Sequence, residues 1–203
     1  MSSETDTTKA MDHAEAQRNR ILDAARQCFI EHGFHAASMS NIAETAGISQ
    51  GLAYRYFKNK NAIILAIIER QLGDRRLLID EIKTSEQYLN KILLWLVSPN
   101  QVKPNTMDPV LFLEMSAESS RDKEVRSALL NADSQYRADF FSYMRQFAKQ
   151  AGTSISDEEL EARFFALQCI IEGVFIRNVR QEIKARELNR YVAAFIAELL
   201  TLD

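Results

Sequence analysis

The sequence has 203 residues, which is enough for one medium domain or two small ones. Hydrophobic residues make up 46% and charged residues 26%, a balance typical of globular proteins, and the formal net charge is −3. Because no apolar run could span a bilayer and the first residues are polar rather than a signal peptide, we expect a cytoplasmic protein without membrane contact.

The negative net charge argues against a surface that attracts nucleic acid everywhere. Residues 1–61 carry equal numbers of basic and acidic residues, so the negative excess lies in the rest of the chain. Salt screens charges that are more than about 8–10 Å apart, and a local basic face is therefore sufficient for contact with phosphates.

The two cysteines, Cys28 and Cys169, lie far apart and lack the spacing of a metal site. Both fall on predicted apolar helix faces, so we expect reduced core residues, with redox sensing as the alternative. The three histidines also lack the spacing of metal ligands. The sequence therefore predicts neither a metal site nor a cofactor.

The N-terminal part of the chain predicts a tail followed by one long helix. Residues 1–11 are rich in Ser and Thr and are expected to be disordered. A helix is predicted from about Asp12 to His32, because apolar residues recur along it at helical spacing. Gly33 should end this helix, since glycine adopts the left-handed conformation without steric cost.

Residues 38–57 have the pattern of two short helices joined by a sharp turn. Ser38 can cap the first helix by accepting the N–H of Asn41, and Ser49 can cap the second. Gly47 falls at the corner, where a left-handed conformation is expected. Two such helices with the small Ala53 at their crossing form a helix-turn-helix, whose second helix fits a major groove.

The outward face of the second helix has side chains suited to reading DNA. Gln can bond an adenine edge and Arg a guanine edge, while Tyr hydroxyls and Lys suit phosphate oxygens. The alternative is a solvated polar helix in an ordinary helical protein. The residues predicted to contact DNA are Ser38, Ser49, Gln50, Gly51, Leu52, Tyr54, Arg55, Tyr56, Lys58 and Lys60.

This region resembles the DNA-binding signature of the TetR family of transcriptional regulators. The residues that carry the resemblance are Arg20–Ala25, Gly33, Phe34, Ser38, Ile42, Ala43, Ala46–Ser49, Gly51, Tyr54, Tyr56, Phe57 and Lys60. The resemblance implies that Ser38, Tyr56 and Lys60 contact phosphates and that 50–52, 54 and 55 face the groove. The family often has Thr where this chain has Leu52, whose methyls could instead touch a thymine methyl.

The remainder of the chain shows only helical patterns, so the sequence predicts an all-α fold of about nine helices. We expect a helix-turn-helix head over 12–58 and an effector-binding and dimerisation body over 59–203. Asn59 should cap a connector helix from Lys60 toward Ile82. Later helices are expected after capping boxes at 84–87 and 156–159, over about 108–119 and 121–152, and from Glu187 to Leu200.

The helix that begins at the 156–159 capping box is apolar on more than one face, and the last helix adds further apolar residues. A helix with two apolar faces must be buried on both, and the family resemblance implies a homodimer formed by a four-helix bundle. Two heads about 34–36 Å apart would match one turn of B-DNA. The alternative is that both helices are core of a monomer. The predicted dimer residues are Phe164, Leu167, Ile171, Val174, Phe195 and Leu199.

Aromatic and Met side chains in the body suggest a site for a small-molecule effector, as the family resemblance also implies. Apolar pockets with a few polar groups bind small molecules, although such residues are more often plain core. Glu114, Glu172 and Arg177 are possible polar anchors. The predicted pocket residues are Trp95, Phe112, Met115, Tyr136, Phe140 and Tyr143.

The leading hypothesis is a sequence-specific repressor that an effector releases from a palindromic operator. The alternative is a DNA-binding dimer without a small-molecule switch, acting as an activator or architectural protein. An enzyme is a third possibility, but we find no Gly-rich phosphate loop, metal-spaced His/Cys set or nucleophile elbow. The sequence therefore assigns no catalytic residues.

Overall fold

The computed structural model describes the backbone of residues 2–79, 82–97, 108–181 and 184–202. Side chains are described within these ranges, apart from those of 2–12, 72–79, 95, 97, 185, 187 and 189. Within the described residues the fold is all-α, as predicted, and none of them lies in a strand. Residues 98–107 and the side chain of the predicted pocket residue Trp95 lie outside the described part.

Three helices form the head, one connects it to the body, and the rest form the body. The head comprises α1 (Ser2–Ala36), α2 (Met39–Thr45) and α3 (Gln50–Tyr56), and the connector is α4 (Lys60–Ile79). The body comprises α5 (Ser85–Val97), α6 (Pro109–Ser119), α7 (Lys123–Gln150), α8 (Asp157–Arg180), α9 (Ala185–Tyr191) and α10 (Ala193–Leu200).

The predicted helix caps of the head are confirmed. Ser38 Oγ accepts the N–H of Asn41 at 3.1 Å, and Asn41 Oδ1 accepts the N–H of Ser38 at 3.1 Å. Ser49 Oγ accepts the N–H of Leu52 at 3.2 Å. Between the two helices Gly47 has a φ of 61°, the left-handed conformation expected at the corner. These local contacts set the angle between α2 and α3.

The first helix is longer than predicted and is kinked at Gly33. It begins at Ser2, within the segment expected to be disordered, and no Gly or Pro interrupts the sequence before Gly33. Gly33 has φ 76° and ψ 160°, so the regular helix stops there as predicted. The short turn that follows leads directly into the Ser38 cap.

The buried side chains form two clusters along the molecule. The head-side cluster joins the head to α4 and to parts of α6 and α7, with Ile21, Ile42, Ile63, Met115 and Val125 among its members. The body cluster joins α5, α7, α8 and the C-terminal helices. Because the head-side cluster continues into α4, α6 and α7, the head has no closed core of its own.

The C-terminal helix differs from the predicted single helix over Glu187–Leu200. It bends at Val192, where φ is −112° and ψ is −35°, and this bend separates α9 from α10. Backbone hydrogen bonds continue across it, from the N–H of Val192 to Leu188 and from the N–H of Ile196 to Val192. The bend keeps Ile196 and Leu200 buried in the body cluster.

Two further observations bear on the predictions. In the described residues no helix combines the length and the apolar character needed to cross a membrane. Cys28 is buried as expected, but Cys169 is exposed, so its prediction as a core residue is wrong. Cys169 lies on the outward face of α8. Because α8 has two apolar faces, its sequence does not show which of them is buried.

Candidate nucleic-acid interface

A groove of about 540 Å³ opens where the head helices meet the start of α4. The end of α1 and the first residues of α2 form one wall, including His35, Ser38 and Met39. Tyr54 of α3 and Lys58 with Lys60 form the other. A hydroxyl, a phenol and two ammonium groups around one groove suit an anionic partner such as a phosphate backbone.

The outward residues of α3 are available as the sequence predicts. Gln50, Gly51, Tyr54 and Arg55 are exposed, and half of the Tyr54 side-chain surface is accessible. Ala53 is fully buried and Phe57 nearly so, which fixes the opposite face of α3 in the head-side cluster. The helix therefore presents one continuous polar and aromatic face to solvent.

Several of the predicted contact residues are less free than the rest. Leu52 and Tyr56 are half-buried, and Tyr56 packs against the head-side cluster. Ser38 donates its hydroxyl proton to Asn41 Oδ1 while it caps α2. A Cβ placed on Gly51 would meet no atom within 4 Å, so the protein itself would accept a side chain there.

Lys60 is held by the head, which the sequence did not reveal. Its ammonium donates to the carbonyl oxygens of Phe34 at 2.7 Å and His35 at 3.2 Å, and lies 4.8 Å from the centre of the Phe34 ring. Burial lowers the pKa of Lys60, while the Glu118 carboxylate acts in the opposite direction. Lys60 thus has a structural role in addition to the phosphate contact predicted for it.

Two arginines of α1 also support the helix-turn-helix. The Arg18 guanidinium lies 5.4 Å from the centre of the Phe57 ring and 3.9 Å from the Glu69 carboxylate. Arg20 covers the corner, because a Cβ at Gly47 would lie only 2.8 Å from its Nη2. Gly47 is therefore favoured by its positive φ, whereas the Arg20 guanidinium ends a flexible, exposed side chain that can move away from a Cβ.

The predicted pocket residues divide between the two buried clusters. Met115 and Tyr136 pack in the head-side cluster, whereas Phe112, Phe140 and Tyr143 belong to the body cluster. The Phe112 and Phe175 rings are 5.3 Å apart, and those of Tyr88 and Tyr143 are 5.5 Å apart. The aromatic groups are therefore packed on one another, as the core alternative expects, and their contact with a ligand stays a prediction.

The polar anchors proposed for the pocket have different surroundings. Glu114 accepts a hydrogen bond from the head, as analysed below. Partial burial raises the pKa of Glu172, and the nearby Asp133 carboxylate raises it further. Arg177 is exposed. Their role as anchors of a ligand stays a prediction.

The structure revises which face of α8 can meet a second copy. Leu167, Ile171 and Val174 are buried within the chain, and Phe164 and Leu199 pack on the same body cluster. Phe195 is 68% exposed, as a contact residue requires. The stripe predicted as the dimer face is thus mostly the inner face of α8, because the sequence pattern does not orient a helix with two apolar faces.

A different set of apolar side chains on α8 and the C-terminal helices faces solvent. Phe165 is 71% exposed and is the most exposed large apolar side chain in the described residues. We call this set the outer apolar surface; its members are Phe165, Ile176, Val179, Tyr191 and Phe195. Phe165, Ile176 and Val179 recur at helical spacing along one face of α8, and contiguous apolar patches mark interaction sites.

A helix-turn-helix that projects an exposed polar and aromatic helix beside a cation-lined groove defines a DNA-binding protein of the transcriptional-regulator class. The family model described as bacterial regulatory proteins, tetR family, matches residues 21–67. The HTH-type transcriptional regulator UidR of Escherichia coli (strain K12) is 30% identical over 194 residues, covering 93% of this chain and 95% of UidR. The chain belongs to the TetR family, which confirms the resemblance seen in its sequence.

Solved structures agree with this assignment. Salmonella enterica GusR is 27% identical with a TM-score of 0.69, and the match covers 92% of this chain and 94% of GusR. The regulator FadR of Bacillus subtilis, solved in complex with stearoyl-CoA, has a TM-score of 0.68 at 23% identity. The match covers 89% of this chain and 96% of FadR. At that lower identity the FadR comparison supports the fold alone.

The contacts of Lys60 predict that two neighbouring lysines differ in their structural importance. Lys60→Ala should lower the free energy of unfolding by about 1–2 kcal/mol, because two carbonyl oxygens lose a charged donor. The exposed Lys58→Ala variant is the control and should change it by less than about 0.5 kcal/mol. Urea unfolding followed by circular dichroism measures both, and equal stability of the two variants would contradict the contacts described.

Proposed function

We propose that this regulator is a repressor that binds a palindromic operator as a homodimer and leaves it when a small molecule binds the body. The observation that carries the DNA part is the exposed face of α3 beside the groove lined by Tyr54, Lys58 and Ser38. Gln50 and Arg55 have the donors and acceptors that distinguish base edges, and Lys58 is an exposed cation two residues after α3. The neutral head and the more acidic remainder of the chain favour approach by the head.

The proposal predicts a salt-dependent, symmetric DNA site. Selection from random DNA should recover a palindrome, and Tyr54→Ala should weaken binding to it at least about tenfold, the value of one good contact. Lys58→Ala should reduce the slope of log affinity against log salt by about 2 per dimer, because each phosphate contact contributes about 0.9. Fluorescence anisotropy at several salt concentrations measures both effects.

The control for this experiment is Gln146→Ala, at an exposed position on α7 away from the head. It should bind the selected DNA like wild type. Wild-type affinity of both Tyr54→Ala and Lys58→Ala would contradict the assignment of α3 as the reading helix.

The outer apolar surface supports the homodimer. Solvent exposure of Phe165, Ile176 and Phe195 is unfavourable for an isolated chain, and a second copy would remove their apolar area from water. One head contacts few base pairs, so a specific site requires two heads at a fixed separation. An isologous contact between two α8 and α10 pairs meets both requirements.

Charge placed on this surface should separate the two copies. Phe165→Glu and Phe195→Glu should each convert a two-chain species at micromolar concentration into a single chain, because a charge buried without a partner is costly. They should also weaken operator binding more than about tenfold, while the exposed Gln146→Glu remains like wild type. Sedimentation velocity measures the mass, and a wild-type protein that is already a single chain would contradict the proposal.

The effector part of the proposal is supported by two structural relatives. FadR of Bacillus subtilis was solved with stearoyl-CoA, and a regulator from Saccharomonospora viridis was solved with choline. These ligands differ in chemistry, so they support a small-molecule site in the body without indicating which compound binds here. A DNA-binding dimer without such a switch is the second candidate.

A thermal-shift screen separates these two candidates. A ligand at about 100 times its dissociation constant stabilises the folded state by about 2.7 kcal/mol, which raises the melting temperature by roughly 5–10 °C for this size of chain. A true effector should also lower operator affinity by about 5- to 150-fold. If every stabilising compound leaves operator affinity unchanged, the regulator without a switch is favoured.

A further inference from the structure

The Gly33 kink leaves one backbone N–H of the head to be satisfied by the body. Because Gly33 departs from helical φ and ψ, the N–H of Phe34 is turned toward α6. Glu114 Oε2 accepts it at 2.6 Å, across 80 positions of sequence. A Cβ placed on Gly33 would lie 3.4 and 3.5 Å from the two carboxylate oxygens, so the carboxylate rests directly on the kink.

The same short turn is held from its other side by the connector helix. Lys60, the first residue of α4, donates to the carbonyl oxygens of Phe34 and His35. The next residue, Asn61, hydrogen-bonds Asp122, which caps the start of α7. A carboxylate from α6 on the N–H side and an ammonium from α4 on the carbonyl side therefore fix the peptide groups of residues 33–35.

A second carboxylate of α6 reaches the same turn. Glu118 is largely buried, and its Oε2 lies 3.5 Å from His35 Nε2 and 3.9 Å from Arg121 Nε. Residues 35–37 then lead to the Ser38 cap and line the groove that contains Tyr54. Any displacement of α6 relative to this turn therefore reaches the groove within a few residues.

The far side of α6 contacts the body. It packs on α7 and α8 as well as on α1, and the Phe112 ring meets Phe175 of α8. Met115, one residue after Glu114, is buried in the head-side cluster. One helix thus touches the body through Phe112 and the kink through Glu114.

We propose that Glu114 is a positioning residue, through which body helix α6 sets the position of the DNA-binding head. The inference rests on the proposed function, since it concerns how operator binding is regulated. While the carboxylate holds Phe34, the two heads of a dimer keep one separation. A body state that withdraws α6 releases the turn and lets the heads vary in separation.

The test measures how strictly the protein requires the spacing of its operator. Affinity is compared for the selected palindrome and for the same DNA with two base pairs inserted at its centre. Wild type should lose at least about tenfold on the insertion, because half-sites must match head separation. Glu114→Ala should reduce this ratio by about fivefold or more, the lower range of allosteric coupling.

Three further variants identify the reason for the effect. Glu114→Gln keeps an acceptor oxygen on a side chain of the same length and should retain the wild-type ratio within about twofold. Glu114→Asp keeps the charge on a shorter side chain, which does not reach Phe34, and should behave like Glu114→Ala. Ser116→Ala, on the same helix with its hydroxyl bonded to the Phe112 carbonyl, is the matched control. If Glu114→Ala does not fold, the comparison of Asp with Gln decides.

Hydrogen exchange of the peptide containing residues 33–37 provides a second readout. Exchange should be faster in the Ala and Asp variants than in wild type, because Phe34 loses its acceptor. A wild-type spacing ratio in Glu114→Asp, or a Gln variant as permissive as Ala, would overturn the proposal. Faster exchange without a change in ratio would also overturn it, since the contact would then be structural only.

These outcomes are distinct from failure of the proposed function. Absence of palindrome binding by the wild-type protein would refute the repressor proposal before any variant is compared. Tight wild-type binding with an unchanged ratio in Glu114→Ala and Glu114→Asp would refute only the role of Glu114.

Discussion

The reading helix depends on packing that it does not supply itself. A helix of seven residues is too short to be stable alone in water, where about 12–15 residues are marginal. Its inner face, Ala53 and Phe57, is buried in the same cluster as Ile42 of α2 and Ile63 of α4. The orientation of α3 is therefore a property of the whole head-side cluster, and the connector helix is part of it.

Apolar packing and polar contacts have different roles in this cluster. Ile63, Ile64 and Ile67 of α4 are almost fully buried, and each contributes roughly 1.5–3 kcal/mol by removal from water. A single hydrogen bond to a charged group contributes a similar amount, about 1.5–3 kcal/mol. The buried apolar side chains are many and the polar contacts few, so burial supplies most of the stabilisation. Apolar burial is non-directional, whereas hydrogen bonds at 33–35 fix particular peptide groups. We infer that burial keeps the head attached and that the polar contacts set its position.

Much of the head could be predicted because its signals are local. Ser38, Ser49 and Asn59 cap helices through neighbours three residues away, and Gly33 and Gly47 have the positive φ that their positions suggested. Long-range contacts had no such signal. The Glu114 carboxylate and the Phe34 N–H are 80 positions apart. In the sequence, a Glu that contacts a distant helix cannot be distinguished from a Glu that faces solvent.

The orientation of α8 shows a second limit of sequence reasoning. Apolar residues occur on two of its faces at the same helical period, so periodicity identifies the faces without telling which one is inner. The structure places Leu167, Ile171 and Val174 inward and Phe165 outward. Only the packing partners of α8, namely α5, α6, α7 and α10, decide between them, and these lie elsewhere in the chain.

In the proposed dimer, the outer face of α8 contacts the second copy and its inner face contacts α6, which in turn contacts the head. The outer face carries Phe165, and the inner face carries Phe175, whose ring meets Phe112 of α6. Glu114, two residues further along α6, holds the kink that precedes the helix-turn-helix. A rigid dimer contact would therefore fix α8, and α6 would be the element free to shift between it and the head. Because protein cores are close-packed, such a shift would occur between discrete arrangements rather than by continuous deformation, which is the behaviour that a regulatory switch requires.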